Sequence, residues 1–392
     1  MRVIKKIFQG LVYLFALAGF VLISGYFAVR FKLTNVPGII DSNTRTFSQD
    51  VAKLQKIPKK TDVAEVRGDM TVASLEKQIN YLSKVRMIRQ ENYCKIEVIG
   101  NHYPKNAANI LRAAEKTQSD PITMKMVTAV ELRLKDIPDI YSKLEKCRDD
   151  KASTRISADY SELRDGFSIQ GENVFQWAND AEWNAISQAT MKEKGVIDEV
   201  SQEVDIEPRL VVASMIVEQL RLFHSEREVF KRFFEPLKIL CSANKISLGV
   251  MGIKEATAIN IENHIKDSSS PYYLGPEYEN MLNFNSGDIV SERYDRLVDD
   301  KNHYYSYLYG ALYLKQFMKQ WKDAGYDIDY RPEILGTLFN VGFSQSKPKP
   351  DPKVGGSEIS IGERSYSFGS LVYEFYYSGE MLDDFPFQIE GV

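Results

Sequence analysis

Histidine and cysteine are scarce in this chain. Its 392 residues include only four histidines and three cysteines, and none of them falls in a CxxC or HxxxH spacing. Such spacings bring metal ligands together on one helix or in one loop. Metal-dependent chemistry is therefore not supported, and we expect neither a metal site nor an organic cofactor.

An excess of basic residues is also absent. The net charge is −4, and residues 1–32 hold five basic residues and no acidic one. The remainder has 45 basic and 54 acidic residues, which is a net charge of −9. Because binding to a phosphate backbone depends on basic surface, nucleic acid is not an expected partner. The hydrophobic fraction of 44% is too high for a disordered chain.

The longest uncharged segment lies near the N-terminus. Ile7 to Val29 spans 23 residues without a charged side chain, between basic flanks. About 20 apolar residues cross a bilayer core as a helix, so the segment predicts a transmembrane anchor. Residues 1–6 then remain in the cytoplasm, and the acidic remainder is exported. A cleaved signal peptide is the alternative, because Ala16 and Ala18 form a small-x-small site, but the apolar run is longer than the roughly 7–15 residues of such peptides.

Hydrophobic periodicity and prolines divide the rest of the chain. A stalk is predicted over residues 30–62, a helical domain over 63–149, a linker over 150–182 and a larger domain over 183–392. Near the C-terminus, two alternating segments flank Gly362-Glu363, which predicts a small β-hairpin. The predicted fold class is therefore mainly α, an α+β arrangement with one small hairpin.

Two arrangements fit the cysteines. Cys94 and Cys147 either form a disulfide in an oxidising compartment, with Cys241 left over, or all three thiols are unpaired. Since Cys241 lies in the other predicted domain, we expect it to be bonded to neither.

One acidic residue ends an otherwise apolar helix. Pro208 is typical of a first helical turn, and the predicted helix that it opens is apolar from Leu210 until Glu218, apart from Ser214. Apolar surroundings favour the protonated form of a carboxyl group, as a general acid for glycoside cleavage requires. Glu207 precedes the proline, and we expect it at the exposed start of this helix.

Further short motifs follow Glu218. They are Ser247-Leu248-Gly249-Val250-Met251-Gly252, Gly310-Ala311-Leu312-Tyr313-Leu314, Leu338-Phe339-Asn340-Val341-Gly342 and the aromatic stretch Tyr373-Glu374-Phe375-Tyr376-Tyr377. In this order, they resemble the motifs of lytic transglycosylases of the soluble-transglycosylase and goose-type lysozyme kind. The resemblance covers roughly residues 183–377 and none of the first 150.

This resemblance implies a lysozyme-like domain in which Glu218 is the single catalytic acid and base. The implied reaction cleaves the β-1,4 bond between N-acetylmuramic acid and N-acetylglucosamine in peptidoglycan, and the substrate's own 6-hydroxyl attacks to give a 1,6-anhydro product. The implied location is the bacterial inner (cytoplasmic) membrane, with a single span and the C-terminal domains in the periplasm. The implied substrate-binding residues are Ser247, Gly249, Met251, Phe339, Asn340 and Tyr373, with Tyr376 and Tyr377 as alternatives to the last.

Departures from the family pattern keep other functions open. Gly252 stands where the family has Gln, and Phe339 stands where it has Tyr, which favours a glycan-binding or assembly protein of the same fold without strong activity. A hydrolytic lysozyme outcome needs a second carboxylate, for which Glu255 and Asp205 are the candidates. In a third alternative, residues 63–149 recruit protein partners of an envelope machine.

Overall fold

The computed structural model describes three stretches of the chain, residues 89–148, 170–223 and 247–388. Isolated described positions are Tyr13, Gly19, Phe20, Ser24, Tyr160, Leu163 and Phe167. The predicted tail, membrane helix and stalk lie outside the described residues apart from those positions, and so does Cys241. Within the described part, no helix has both the length and the apolar character needed to cross a bilayer.

Twelve α-helices make up most of the described residues. The first four are α1 (residues 89–100), α2 (Pro104–Thr117), α3 (Asp120–Leu134) and α4 (Pro138–Lys146). The next three are α5 (Ala181–Lys192), α6 (Lys194–Val204) and α7 (Pro208–Phe223). The last five are α8 (Glu255–Lys266), α9 (Ile289–Val298), α10 (Tyr304–Asp323), α11 (Pro332–Val341) and α12 (Phe368–Tyr377).

Prolines mark where five of these helices begin. Pro104, Pro138, Pro208 and Pro332 occupy the first helical position, and Pro121 occupies the second position of α3. An N–H group in the first turn has no partner inside the helix, so proline loses nothing there and its fixed φ suits the helix. The sequence therefore sets these starts locally.

Two short antiparallel hairpins complete the fold. Strands β3 (Glu358–Ile361) and β4 (Arg364–Ser367) pair Ile359 with Tyr366 across a turn in which Gly362 has a φ of +58°. This is the predicted hairpin, and the mainly α architecture is likewise confirmed. The second hairpin, β1 (Ser247–Leu248) with β2 (Ile253–Lys254), was not predicted.

Helix α12 lies at the centre of the hydrophobic core. All of its residues are buried, and it packs against α11, α7 and α3. One cluster of buried apolar side chains extends along the chain from Tyr93 to Phe387. The described parts of the two predicted domains, 63–149 and 183–392, therefore share one core.

A buried carboxylate links α12 to the first helices. Glu374 pairs with Arg133 of α3 and accepts a hydrogen bond of 3.3 Å from the Trp177 indole. Burial raises the pKa of Glu374, while the Arg133 guanidinium opposes that rise. The ion pair joins α3 to α12 within the core. Breaking it would leave a buried charge without a partner, which is strongly unfavourable.

Cys94 and Cys147 form a disulfide. The bond ties α1 to the end of α4, with the two Cα atoms 5.6 Å apart. Beside it, the buried Lys95 ammonium contacts the fully buried Glu131 carboxylate at 2.8 Å. Of the two arrangements that the sequence left open, the paired one is present.

Candidate functional site

Helix α7 carries Glu218 into the interior of the protein. The residues that precede Glu218 on this helix are almost all apolar and buried: Leu210, Val211, Val212, Ala213, Met215, Ile216 and Val217. A helix that is apolar on every side belongs inside a protein. Glu218 follows this run and is itself only 3% exposed. A charged carboxylate at such a position requires a partner.

Arg221 is that partner. It lies one helical turn after Glu218, and its Nε donates to Glu218 Oε2 at 3.0 Å while its Nη2 contacts Oε1. Residues three apart on a helix face the same side, and a guanidinium matches a carboxylate with two parallel hydrogen bonds. Burial by itself lowers the pKa of Arg221, but the Glu218 carboxylate outweighs that effect and the pKa is raised. Both carboxylate oxygens are thus engaged inside the chain.

The turn between β1 and β2 lies directly against the Glu218 side chain. Gly252 has a φ of +61°, and a Cβ built on it would lie 2.1 Å from Glu218 Oε1 and 2.4 Å from Cδ. No side chain fits in that space, and only glycine adopts this backbone conformation readily. Gly252 is therefore where the backbone of the turn meets the candidate acid.

On its other side the hairpin packs against α9 and α10. Ser306 accepts a hydrogen bond of 3.3 Å from the Met251 backbone N–H. Gly249, with a φ of +64°, lies so close to the Leu297 carbonyl that a Cβ would be 2.0 Å away. Gly310 leaves room for the Met251 side chain, since a Cβ there would lie 2.4 Å from Met251 Cε. Three glycines of the predicted motifs, Gly249, Gly252 and Gly310, thus permit close packing around the β1–β2 turn.

Gln219 joins the hairpin to α7. Its Nε2 donates to the Val250 carbonyl at 2.7 Å. Neighbouring residues of one helix therefore contact one turn, Gln219 by a hydrogen bond and Glu218 by van der Waals contact with Gly252. The structure brings together Glu218, Gly249 and Met251 of the predicted site. Ser247 belongs to the same hairpin, where it pairs with Lys254.

Asn340 is oriented near the C-terminal end of α11. Its Oδ1 accepts hydrogen bonds from the Ser357 backbone N–H at 2.7 Å and from the Ser357 hydroxyl at 2.9 Å. Because a backbone N–H only donates, the amide oxygen must face Ser357. The Asn340 Nδ2 then points the other way and has no hydrogen-bond partner among the described residues. Asn340 is half-buried, so a donor in this position can bind a carbonyl.

Two predicted binding residues are packed in the core. The Phe339 ring lies between Tyr313 and Phe368, with centroids 5.4 and 6.2 Å away. Tyr373 is buried, and its hydroxyl donates to the Lys125 carbonyl of α3 at 3.4 Å. Their rings contribute to packing, and the fully buried Met251 does the same beneath Gly310.

The expectation that Glu207 is exposed is wrong. It is buried, its Oε2 accepts a 2.6 Å hydrogen bond from the Tyr376 hydroxyl, and its Oε1 accepts one of 3.0 Å from the Gln388 N–H. Burial raises the pKa of Glu207, and these two hydrogen bonds oppose the rise. Since eleven helical residues advance about 16 Å, Tyr376 contacts the opposite end of α7 from Glu218. Tertiary packing, not the local pattern, decides the exposure here.

Arg209, two residues after Glu207, is also held in the interior. Arg209 is fully buried and donates to the backbone carbonyls of Phe375, Tyr376, Glu380 and Phe385 at 2.8–3.3 Å. Burial lowers the pKa of Arg209 to about 10. Because the last carbonyls of a helix lack intrahelical partners, this guanidinium caps the end of α12. Arg209 therefore stabilises the fold at the N-terminal end of α7, which is remote from Glu218.

The two candidates for a second carboxylate, Asp205 and Glu255, differ in exposure and in position. Asp205 is 89% exposed and pairs with Lys315 at 2.9 Å, whereas Glu255 is half-buried at the first position of α8, directly after β2. Glu255 is thus close in sequence to the hairpin that contacts Glu218. Across the described ranges, no three histidine, cysteine, aspartate or glutamate side chains cluster as metal ligands would.

Sequence reasoning missed Arg221, Ser306 and Ser357. Opposite charges three apart on a predicted helix are a signal that Arg221 pairs with Glu218, but no local pattern indicates the two serines, which act across the fold. No protein-family model, no curated protein and no solved structure matches the chain.

Proposed function

We propose that this protein is a membrane-anchored, lytic transglycosylase-like enzyme with a lysozyme-like fold, which cleaves peptidoglycan between N-acetylmuramic acid and N-acetylglucosamine. The observation that carries the proposal is the contact between Glu218 and the Gly252 turn. It unites two motifs that are far apart in the sequence, a carboxylate at the end of an apolar helix and a glycine hairpin. Glycines allow a sugar ring to approach the backbone closely.

In this reaction the Glu218 carboxyl donates its proton to the glycosidic oxygen, and the bond to C1 of N-acetylmuramic acid breaks. The resulting carboxylate then accepts the proton of the 6-hydroxyl of that same sugar, whose oxygen bonds to C1. The products are a 1,6-anhydro end and a new 4-hydroxyl, and Glu218 is again protonated. No second carboxylate takes part. Asn340 Nδ2 donates to the carbonyl of an N-acetyl group.

The disulfide supports an exported location. Bonds such as Cys94–Cys147 form and persist in oxidising compartments outside the cytoplasm. Together with the uncharged segment Ile7–Val29, this favours a single-pass protein of the inner membrane whose C-terminal part lies in the periplasm. Peptidoglycan is accessible there.

The engaged state of Glu218 favours a second candidate, a glycan-binding or assembly protein without turnover. Both carboxylate oxygens contact Arg221, and Phe339, where the family has Tyr, is buried among aromatic rings. A site in this state binds glycan strands, but Glu218 donates no proton as long as it is paired with Arg221.

Mass analysis of peptidoglycan after incubation with the full chain separates the two. Fragments ending in 1,6-anhydro-N-acetylmuramic acid are expected from the transglycosylase-like enzyme, and reducing ends are expected from a hydrolytic lysozyme. Strands that co-sediment with the protein and remain uncut support the binding protein instead.

A further inference from the structure

The ion pair between Glu218 and Arg221 closes the site that would perform the reaction. A general acid must present one carboxyl oxygen to the glycosidic oxygen within hydrogen-bond distance. Both Glu218 oxygens are instead held by one guanidinium. The pair must therefore open before Glu218 acts.

Opening the pair without a replacement partner is unfavourable. The Glu218 side chain is 4% exposed and that of Arg221 is 13% exposed, so separation leaves a largely buried guanidinium uncompensated. Gln219 is not a substitute, because its amide is held by the Val250 carbonyl. A carboxylate that arrives with the ligand keeps the guanidinium paired, and a guanidinium binds any carboxylate with the same planar fork.

Peptidoglycan supplies such carboxylates. They occur on the lactyl group of N-acetylmuramic acid where no peptide is attached, and on the stem peptide where one is. Arg221 is the more exposed of the two partners, at 13% against 4%. A neutral strand of N-acetylglucosamine has the same β-1,4 linkage but no carboxylate.

We propose that Arg221 is a specificity-determining residue that binds a carboxylate of the glycan strand and thereby releases Glu218. This inference rests on the proposed function. The neutral strand leaves the Glu218–Arg221 pair closed. The acidic strand exchanges one carboxylate for another at Arg221. The released Glu218 carboxylate then takes up a proton from solvent, and the site becomes competent for proton donation.

Calorimetric titration of the full chain tests this exchange through binding affinity, and product formation is measured separately. The probes are chitotetraose, an unsubstituted tetrasaccharide of alternating N-acetylglucosamine and N-acetylmuramic acid, and the same tetrasaccharide with stem peptides. Wild type should bind at least one acidic probe about tenfold more tightly than chitotetraose, as a charge-assisted hydrogen-bond pair allows. Whichever acidic probe shows the preference identifies the lactyl or the peptide carboxylate as the source.

Substitutions of the two partners, Arg221 and Glu218, should change acidic-probe binding in opposite directions. Arg221→Gln should bind all three probes alike, while Arg221→Lys, which keeps the charge but not the fork, should retain part of the preference. Glu218→Gln removes the competing carboxylate and should bind the acidic probe several-fold more tightly than wild type. Thermal melting of each variant identifies any that does not fold, and the remaining two then decide. An Arg221→Gln variant with the wild-type preference overturns the inference, and so does a Glu218→Gln variant with unchanged affinity.

Cleavage of the same probes separates this inference from the proposed function. If wild type cuts acidic strands and Arg221→Gln keeps the wild-type ratio of acidic to neutral cleavage, Arg221 does not determine specificity and the proposed function stands. If no strand is cut but the acidic preference depends on Arg221, the carboxylate site stands and the proposed activity is overturned.

Discussion

The Oε1 atom of Glu218 lies 2.1 Å from the point where a Cβ on residue 252 would be. Glu218 ends the apolar run of α7, and Gly252 closes the β1–β2 turn with a φ of +61°. The position of the candidate acid therefore depends on the absence of a side chain at residue 252. Any residue larger than glycine must move either the hairpin or the carboxylate.

Replacing this glycine is the most direct test of that dependence. Gly252→Ala should lower the free energy of unfolding by about 1–3 kcal/mol, because it forces a strained φ and a steric clash. It should also lower peptidoglycan cleavage by displacing Glu218. Chemical denaturation and fragment analysis measure the two effects.

Gly195→Ala is the matched control. Gly195 lies in α6, where a Cβ would meet nothing within 4 Å, so alanine should stabilise the protein by about 0.5–1 kcal/mol. Equal stability and activity of the Gly252→Ala variant and wild type would show that the clash is relieved by small shifts and that the contact is unimportant.

Glu218→Gln tests the candidate acid itself. The amide keeps the shape but has no acidic proton to transfer, so cleavage should fall by at least about 10²-fold. The change also removes the negative charge that pairs with Arg221, and we expect a loss of about 1–3 kcal/mol in the free energy of unfolding. The exposed Glu199 of α6 provides a control, since Glu199→Gln should alter neither quantity. Wild-type rates in the Glu218→Gln variant rule out its catalytic role.

Glu255→Gln distinguishes the lytic outcome from the hydrolytic one. Glu255 follows β2 directly and is half-buried, which makes it a better candidate than the exposed Asp205 to hold a water. If the substrate's 6-hydroxyl attacks, the variant should retain cleavage and its 1,6-anhydro products. Loss of activity together with reducing-end products in wild type contradicts this expectation.

The features that the sequence predicted correctly are those that the local chemistry of single residues determines. Pro208 opens a helix because the first turn tolerates a missing N–H, and Gly362 turns the predicted hairpin because it adopts a positive φ. The β1–β2 hairpin escaped prediction, since its strands have two residues each and show no measurable alternation.

The parts that were missed depend on contacts across the fold. In the sequence, Glu207 is a polar residue at the start of a predicted helix. In the structure it is buried and accepts a hydrogen bond from Tyr376, which is far along the chain. Phe339 stands in a motif position that implies substrate contact, yet Tyr313 and Phe368 enclose its ring. Arg221 is the exception: it was missed although its spacing to Glu218 indicates the pair, because charge pairing at three residues is a local helical rule.

The buried Glu207 predicts a pH-dependent term in stability. Because its folded pKa is raised above the ordinary value of 4.5, the native state binds more protons than the unfolded state in the pH range between the two pKa values. This contribution to stability is therefore fully present at low pH and is lost as the pH rises through the folded pKa, by at most about 1.4 kcal/mol per pH unit. Glu207→Gln should remove this slope. Unfolding free energies from pH 4 upward, compared with those of wild type and Glu199→Gln, reveal the difference, and identical slopes contradict it.

The disulfide should contribute strongly to stability because it closes a long loop. Cys94 and Cys147 are 53 residues apart, and loss of such a cross-link costs about 4 kcal/mol in the chain-entropy treatment. Cys147→Ser should therefore lower the free energy of unfolding by roughly 2–4 kcal/mol, and reducing agent should destabilise wild type but not the variant. Cys241→Ser is the thiol control and should respond to reducing agent as wild type does, since Cys94 and Cys147 are bonded to each other. Peptide mapping without reduction checks the pairing, and a disulfide that contains Cys241 contradicts it.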